Sequence, residues 1–166
     1  MTATLQQFFL KQKLAIRART EEVFALLRPE HMAWRPAEGA LSIGEMLRHL
    51  WTSEEGTRRV ALDSNFAYYE VRIPKGLAPI VGTPQSLADE LANIRRVHRE
   101  TLDGVAAAPP DLFDLERVNP KLGFRRKVSV ILFGINEHEI HHRAQLMTFL
   151  RIFGTPAPEP FKRPAK

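Results

Sequence analysis

The stretch Asn136-Glu137-His138-Glu139-Ile140-His141-His142-Arg143-Ala144-Gln145 lies inside a long run of helical period. Counting alternately by four and three from Ile131 gives Ile131, Ile135, His138, His142, Gln145, Phe149 and Ile152. That spacing marks the inward seam of a core-facing helix. Its two middle places carry histidine where Leu or Ile is the ordinary choice. A buried neutral imidazole has two ring nitrogens to satisfy, at a cost if either is left bare. One turn apart on a helix, the two side chains are rotated by about 40°, so both reach a single point. A metal ion is the natural occupant of such a point. The alternative is a histidine pair hydrogen-bonded within the core.

This seam belongs to the last of four proline-free segments of helical period, over residues 4–27, 42–62, from Thr83-Pro84 to Pro109-Pro110, and 127–153. The first carries Leu5, Phe9, Ile16, Val23 and Leu27. The second opens on Ser42 with Glu45 three residues later, a capping box, and its apolar face is Ile43, Met46, Leu47, Leu50 and Trp51. The third reads as a threonine cap followed by proline at the first helical position. The fourth ends before Gly154, in the place that favours glycine. Four helices on 166 residues, 44% of them hydrophobic, predict one all-α domain, a four-helix bundle over residues 1–154. The connections over 63–82 and 106–126, after helices 2 and 3, are too long for a plain up-down-up-down bundle. Residues 155–166 form a proline-rich C-terminal tail.

A site of two histidines is incomplete, because catalytic zinc-type centres take three protein ligands and water. Of the other histidines, His49 is the favoured third. Met46 precedes it on its face, and the small residues Ser53 and Gly56 follow, which leaves room for a pocket. His98 fits a core histidine with Thr101 as its hydroxyl partner. His31 lies in a loop, and His141 points about 100° from His142. Glu137 and Glu139 face away from the seam and read as surface charges.

The chain has no cysteine, which excludes disulfides, thiolate ligands and a cysteine nucleophile. No signal-peptide pattern opens it, and no apolar run approaches the roughly 20 residues of a membrane span. A cytoplasmic protein is expected, with no membrane partner. The net charge is +5, but the basic residues are scattered without a nucleic-acid-binding motif, so solvated helix faces are expected and nucleic acid is not.

Two segments carry a resemblance. Ser42-Ile43-Gly44-Glu45-Met46-Leu47-Arg48-His49-Leu50-Trp51-Thr52-Ser53-Glu54 resembles a helix-2 histidine with a glutamate five residues on, and His138 to Gln145 resembles an H-x-x-x-H-R-x-Q motif. Both are similar to the DinB/YfiT-like family of small metalloenzymes, as is Trp34-Arg35-Pro36 before helix 2. Ala144 departs from the glycine frequent in relatives. The resemblance implies an up-down-down-up bundle and frequent homodimers. It also implies one divalent ion held by His49, His138 and His142; three nitrogen ligands with an open position suit zinc, nickel, iron or cobalt. Thiol-dependent transferases and isomerases occur among such proteins, so a low-molecular-weight thiol is an expected cofactor and a small molecule the expected substrate.

An ion on three neutral imidazoles keeps its charge and an open position, and activates water or thiol there for transfer or hydrolysis. Glu54 is a candidate general base or hydrogen-bonding partner, with a solvated carboxylate as the alternative. Gln145, on the seam, is placed to bond a ligand or a histidine nitrogen, and Arg143 to hold an anionic group. Ser53, Gly56, Tyr68 and Tyr69 are the expected pocket lining. The non-catalytic alternative is a structural or stress-response protein in which the ion closes the bundle.

Overall fold

Three of the four long helices begin where a hydroxyl side chain can take the first free amides. Thr4 and Gln7, and Ser42 and Glu45, form reciprocal capping boxes at the starts of α1 (Leu5–Phe24) and α2 (Ile43–Asp63). In the computed structural model, which describes residues 4–156 and 158, these are followed by α3 (Ala67–Lys75), α4 (Ala78–Val81), α5 (Leu87–Ala107) and α6 (Val128–Ile152). A hairpin of β1 (Glu116–Asn119) and β2 (Phe124–Lys127) precedes α6, with Glu116 opposite Lys127 and Asn119 opposite Phe124. The start of α5 differs from the Thr83-Pro84 expectation. Ser86 is the cap, accepting from the Asp89 amide, while the Gln85 amide is held by the Glu90 carboxylate at 2.7 Å. At the end of α6, Gly154 has φ +74°. There the Gly154 amide donates to Arg151 and the Thr155 amide to Leu150, the paired closing bonds that a left-handed residue permits. The tail predicted over residues 155–166 lies mostly outside the described residues.

The four long helices form a ring in which α1 and α2 each pack on both α5 and α6. Contacts fix their directions. Gln6 near the start of α1 reaches the carbonyls of Val105 and Ala108 at the end of α5, so these two are antiparallel. Phe9 meets Phe133 and Ile16 meets Arg143, so α1 and α6 are parallel. Arg48 pairs with Glu90 and Arg58 with Glu100, so α2 and α5 are parallel. The order is up, down, down, up.

The long connections carry structure of their own. α3 lies on α2, where Gly56 makes the close approach possible. A Cβ there would sit 2.2 Å from Cγ of Tyr68, inside its ring contact. Arg117 of β1 donates to the carbonyls of Val60, Ala61 and Leu62, the free acceptors at the end of α2. Phe124 of β2 then meets Phe66 and Tyr69 at ring distances of 5.3 and 5.5 Å, closing a wall between the hairpin and α3.

The core is split. One apolar cluster gathers Val23, Phe24, Leu27, Met46, Leu50, Ile94, Leu146 and Leu150; the other gathers Phe9, Val60, Val105, Phe113, Ile131, Leu132 and Ile135. Between them, at mid-length, every long helix contributes buried polar groups: Lys13, Arg17 and Thr20; His49, Glu54 and Thr57; His98 and Thr101; Glu139 and His142. Two expected stripes shift accordingly. On α1 the inward residues are Phe9, Lys13, Arg17, Thr20, Val23 and Phe24, while Leu5 is exposed. On α6 the seam ends before Ile152, which is 61% exposed. A straight helix drifts by about 20° per heptad from a strict seam, and three heptads separate Ile131 from Ile152. No described helix is long and apolar enough to cross a membrane.

Candidate metal centre

The polar belt holds two adjoining groups. The first is the histidine cluster. His49 projects from α2, and His138 and His142 project from successive turns of α6. The Nε2 of His138 lies 2.9 Å from that of His49 and 3.1 Å from that of His142. A tetrahedral ion with metal–nitrogen bonds of roughly 2.0–2.1 Å holds its ligand atoms about 3.3 Å apart, so small outward shifts suffice. His142 Nδ1 is 2.7 Å from Gln145 Oε1. The amide oxygen only accepts, so Nδ1 carries the proton and Nε2 presents its lone pair.

Protons alone do not satisfy this cluster. His138 Nε2 faces two nitrogens and has at most one hydrogen to give. A hydrogen on His49 Nε2 as well would set two donors face to face; without it, the one hydrogen of His138 serves two facing lone pairs and leaves at least one poorly matched. If His49 instead carries its proton on Nδ1, that buried atom has no partner among the described residues. A cation among three Nε2 lone pairs resolves the conflict, and the donor set suits a divalent ion of the zinc type. Burial, then His142 and Arg72, lower the His49 pKa to about 4. Burial, then His142 and His49, lower that of His138 to about 3. Burial lowers His142 too, against the pull of Gln145. All three rings are therefore neutral at pH 7, the form that ligates metal.

The second group is a buried ion quartet. Lys13 Nζ is 2.8 Å from Glu54 Oε2 and 2.9 Å from Glu139 Oε2; Arg17 Nη2 is 3.4 and 2.9 Å from the same two atoms. Glu139 is thus not the surface charge its position suggested. α6 buries two faces, against α1 and α2, and Glu139 belongs to the α1 side. Burial pushes its carboxyl up, but Lys13 and Arg17 outweigh that and bring it down to about 2. Glu54 is buried as well, with its Oε2 bonded to Lys13 and Arg17, while its Oε1 has no partner among the described residues.

A cavity of about 250 Å³ opens beside His138, lined also by Ser53, Glu54, Thr57, Tyr69, Phe124, Arg126 and one face of α6. Among the expected lining residues, Ser53 and Tyr69 border it, and the Tyr69 hydroxyl is 3.1 Å from Thr57 Oγ1. Gly56 instead seats the Tyr68 ring, and the Tyr68 hydroxyl faces Ser53 and Arg72. Arg143 donates to the Ile16 carbonyl on the α1 side of α6. Sequence reasoning missed Lys13, Arg17, Arg72, Thr57, Phe124 and Arg126. For Lys13 and Arg17 a signal existed, because Phe9, Lys13, Arg17, Thr20 and Phe24 follow helical spacing as closely as the apolar stripe does.

His98 is a buried histidine, but not through Thr101, whose hydroxyl donates to the Val97 carbonyl. Its neighbours are Arg17 and Lys13 from α1, Glu54 from α2 and Glu139 from α6. Burial first, then the two cations against the two carboxylates, lower its pKa to about 4. The unfolded chain takes up this proton near pH 6.5 and the folded chain only near 4, so stability falls as pH drops through that window. One such proton is worth at most about 1.4 kcal/mol per pH unit. The slope of urea-unfolding free energy between pH 6.5 and 4.5 is expected to be shallower in His98→Gln by about one proton. An unchanged slope would show that His98 titrates normally.

A helical bundle with three convergent imidazoles in its core defines the class, a four-helix protein with a candidate metal centre. A sequence model of the DinB superfamily matches residues 14–146, and the chain belongs to that superfamily. Two solved structures share the fold. A DinB-like protein, YjoA, from Bacillus subtilis superposes with a TM-score of 0.73 at 20% identity, over 95% of this chain and 99% of its own. A DinB-like protein from Bacillus cereus gives 0.69 at 17% identity, over 92% and 95%. No curated protein matches the sequence.

Proposed function

We propose that this chain is a divalent-metal-dependent enzyme acting on a small molecule, with His49, His138 and His142 as the metal ligands and Glu54 as the general base. The observation that carries the reading is the open cavity beside His138, which Glu54 also lines. A purely structural ion would need no such space. When bound, the ion would supply Lewis acidity at its open position and so favour a hydroxide or thiolate at neutral pH. Because the chain has no cysteine, the thiol is an external low-molecular-weight one. Glu54 pairs through Oε2 with Lys13 and Arg17, which leaves Oε1 as the atom to accept the proton from water or thiol. Gln145 fixes the His142 tautomer, and Ser53 and Tyr69 border the space a substrate would occupy. The same reading includes a homodimer, supported by the exposed apolar residues Phe8, Leu14 and Ile140 on α1 and α6.

The test is a panel of low-molecular-weight thiols against 1-chloro-2,4-dinitrobenzene, with p-nitrophenyl acetate for hydrolysis. Metal-loaded wild type, Glu54→Gln and His142→Ala are compared. Glu54→Gln is expected to keep its metal and lose about 10²-fold or more in kcat. Equal turnover in all three proteins would remove this site from the chemistry.

A further inference from the structure

The cavity has direction. Its α6 wall is Val130, Ile131, Gly134, Ile135 and His138, and eight residues of helix span about 12 Å. At the inner end stand His138, Ser53, Glu54 and Thr57. The middle is apolar, between Ile131, Ile135, Tyr69 and Phe124. At the outer end β2 brings Arg126, its guanidinium 6.0 Å from the centre of the Phe124 ring.

Two features of this wall have no structural reason. Gly134 sits mid-helix, where glycine is destabilising by roughly 1 kcal/mol relative to alanine. Its backbone is ordinary helix, and a Cβ there would meet nothing within 4 Å. Its effect is to keep the cavity floor bare. Arg126 is the second feature. Its neighbour Arg125 pairs with Glu116, but no described carboxylate pairs with Arg126, whose hydrogen bond goes only to the Arg125 carbonyl. An unneutralised guanidinium at the mouth of a small cavity with apolar walls beside it selects for an anion, and its planar fork matches a carboxylate.

We infer that the substrate is a small carboxylic acid with a flat apolar body. Its carboxylate pairs with Arg126, its body lies over Gly134, and its reacting group is delivered to His138 at the inner end. This rests on the proposed enzyme reading for the reacting end only. Recognition of the carboxylate by Arg126 stands without the metal.

The probes are 3-phenylpropionate, its neutral amide and 3-phenylpropylammonium. Their binding is measured by ligand-observed NMR and calorimetry on chelator-treated and on zinc-loaded protein. In chelator-treated wild type the carboxylate is expected to bind at least tenfold more tightly than the amide, and the ammonium not at all. Arg126→Gln should bring carboxylate and amide within twofold, and Arg126→Lys should fall between. Gly134→Leu, which fills the floor, should weaken acid and amide alike. Arg151→Gln, at the far end of α6, should change nothing. Equal binding of acid and amide, no binding of any probe, or an equal loss in Arg151→Gln would each overturn the inference. So would acid binding that needs zinc and ignores Arg126, since the carboxylate would then be on the ion. Failure of the enzyme reading appears separately, as absence of zinc uptake, and leaves the chelator-treated arm intact.

Discussion

Alanine at His138 is expected to abolish stoichiometric binding of divalent metal. His138 is the hinge of the cluster, since its Nε2 is the atom that meets both His49 and His142. Removing it leaves two ligands on different helices, too few for a tight site of the three-nitrogen type. Elemental analysis of dialysed protein, purified without a histidine tag, should give about one ion per wild-type chain and a small fraction of that in His138→Ala. Stability separates loss of ligation from loss of fold. A ligand present at about 100 times its Kd stabilises by roughly 2.7 kcal/mol. For a domain of this size that is about 5–10 °C in Tm. Wild type should show this rise on adding metal, and His138→Ala should not. In the metal-free state the variant loses some packing but also loses the unresolved crowding of three nitrogens, so its Tm should stay near that of the metal-free wild type. One full equivalent bound to His138→Ala with unchanged affinity would place the ion elsewhere.

The histidine pair on α6 was legible because period and chemistry coincide. Two imidazoles on an apolar seam are a local conflict that calls for a shared occupant or a hydrogen-bonded pairing. The Ser42–Glu45 capping box likewise located the start of α2, because a hydroxyl-bearing side chain three residues before a Glu is a local device. What stayed hidden depends on more than one helix. Glu139 lies off the α6 seam and looks solvent-facing until α1 supplies Lys13 and Arg17 on its far side. Lys13 in turn looks like a surface lysine until two carboxylates arrive from α2 and α6. Ser53 and Gly56 promised space, but the Tyr68 ring takes the place beside Gly56, because α3 docks there. The cavity is bounded by Phe124 and Arg126 of a hairpin whose pairing no helical period announces.

Methionine in place of Lys13 is expected to destabilise the fold by about 3–5 kcal/mol, the range for breaking a buried ion pair by removing one partner. In the native quartet two cations balance two carboxylates, and the four side chains are between 0% and 9% exposed. Without Lys13, Glu54 and Glu139 share only Arg17, and a net negative charge is left in a core that desolvates it. The cost comes from that imbalance and not from the loss of a favourable pair, so it should be reversible by a second change. Lys13→Met with Glu54→Gln leaves Arg17 opposite Glu139 at 2.9 Å and no net buried charge. This double variant should recover at least half of the lost stability in urea unfolding, although each substitution alone is harmful. It should also keep its metal, because the quartet supplies none of the three convergent nitrogens. A cost below about 1 kcal/mol for Lys13→Met would place it with exposed pairs and mean that water reaches these groups. Additive losses in the double variant would mean that Lys13 acts through packing of its aliphatic stem. Recovery would show that the belt at mid-length is held by charge balance across three helices.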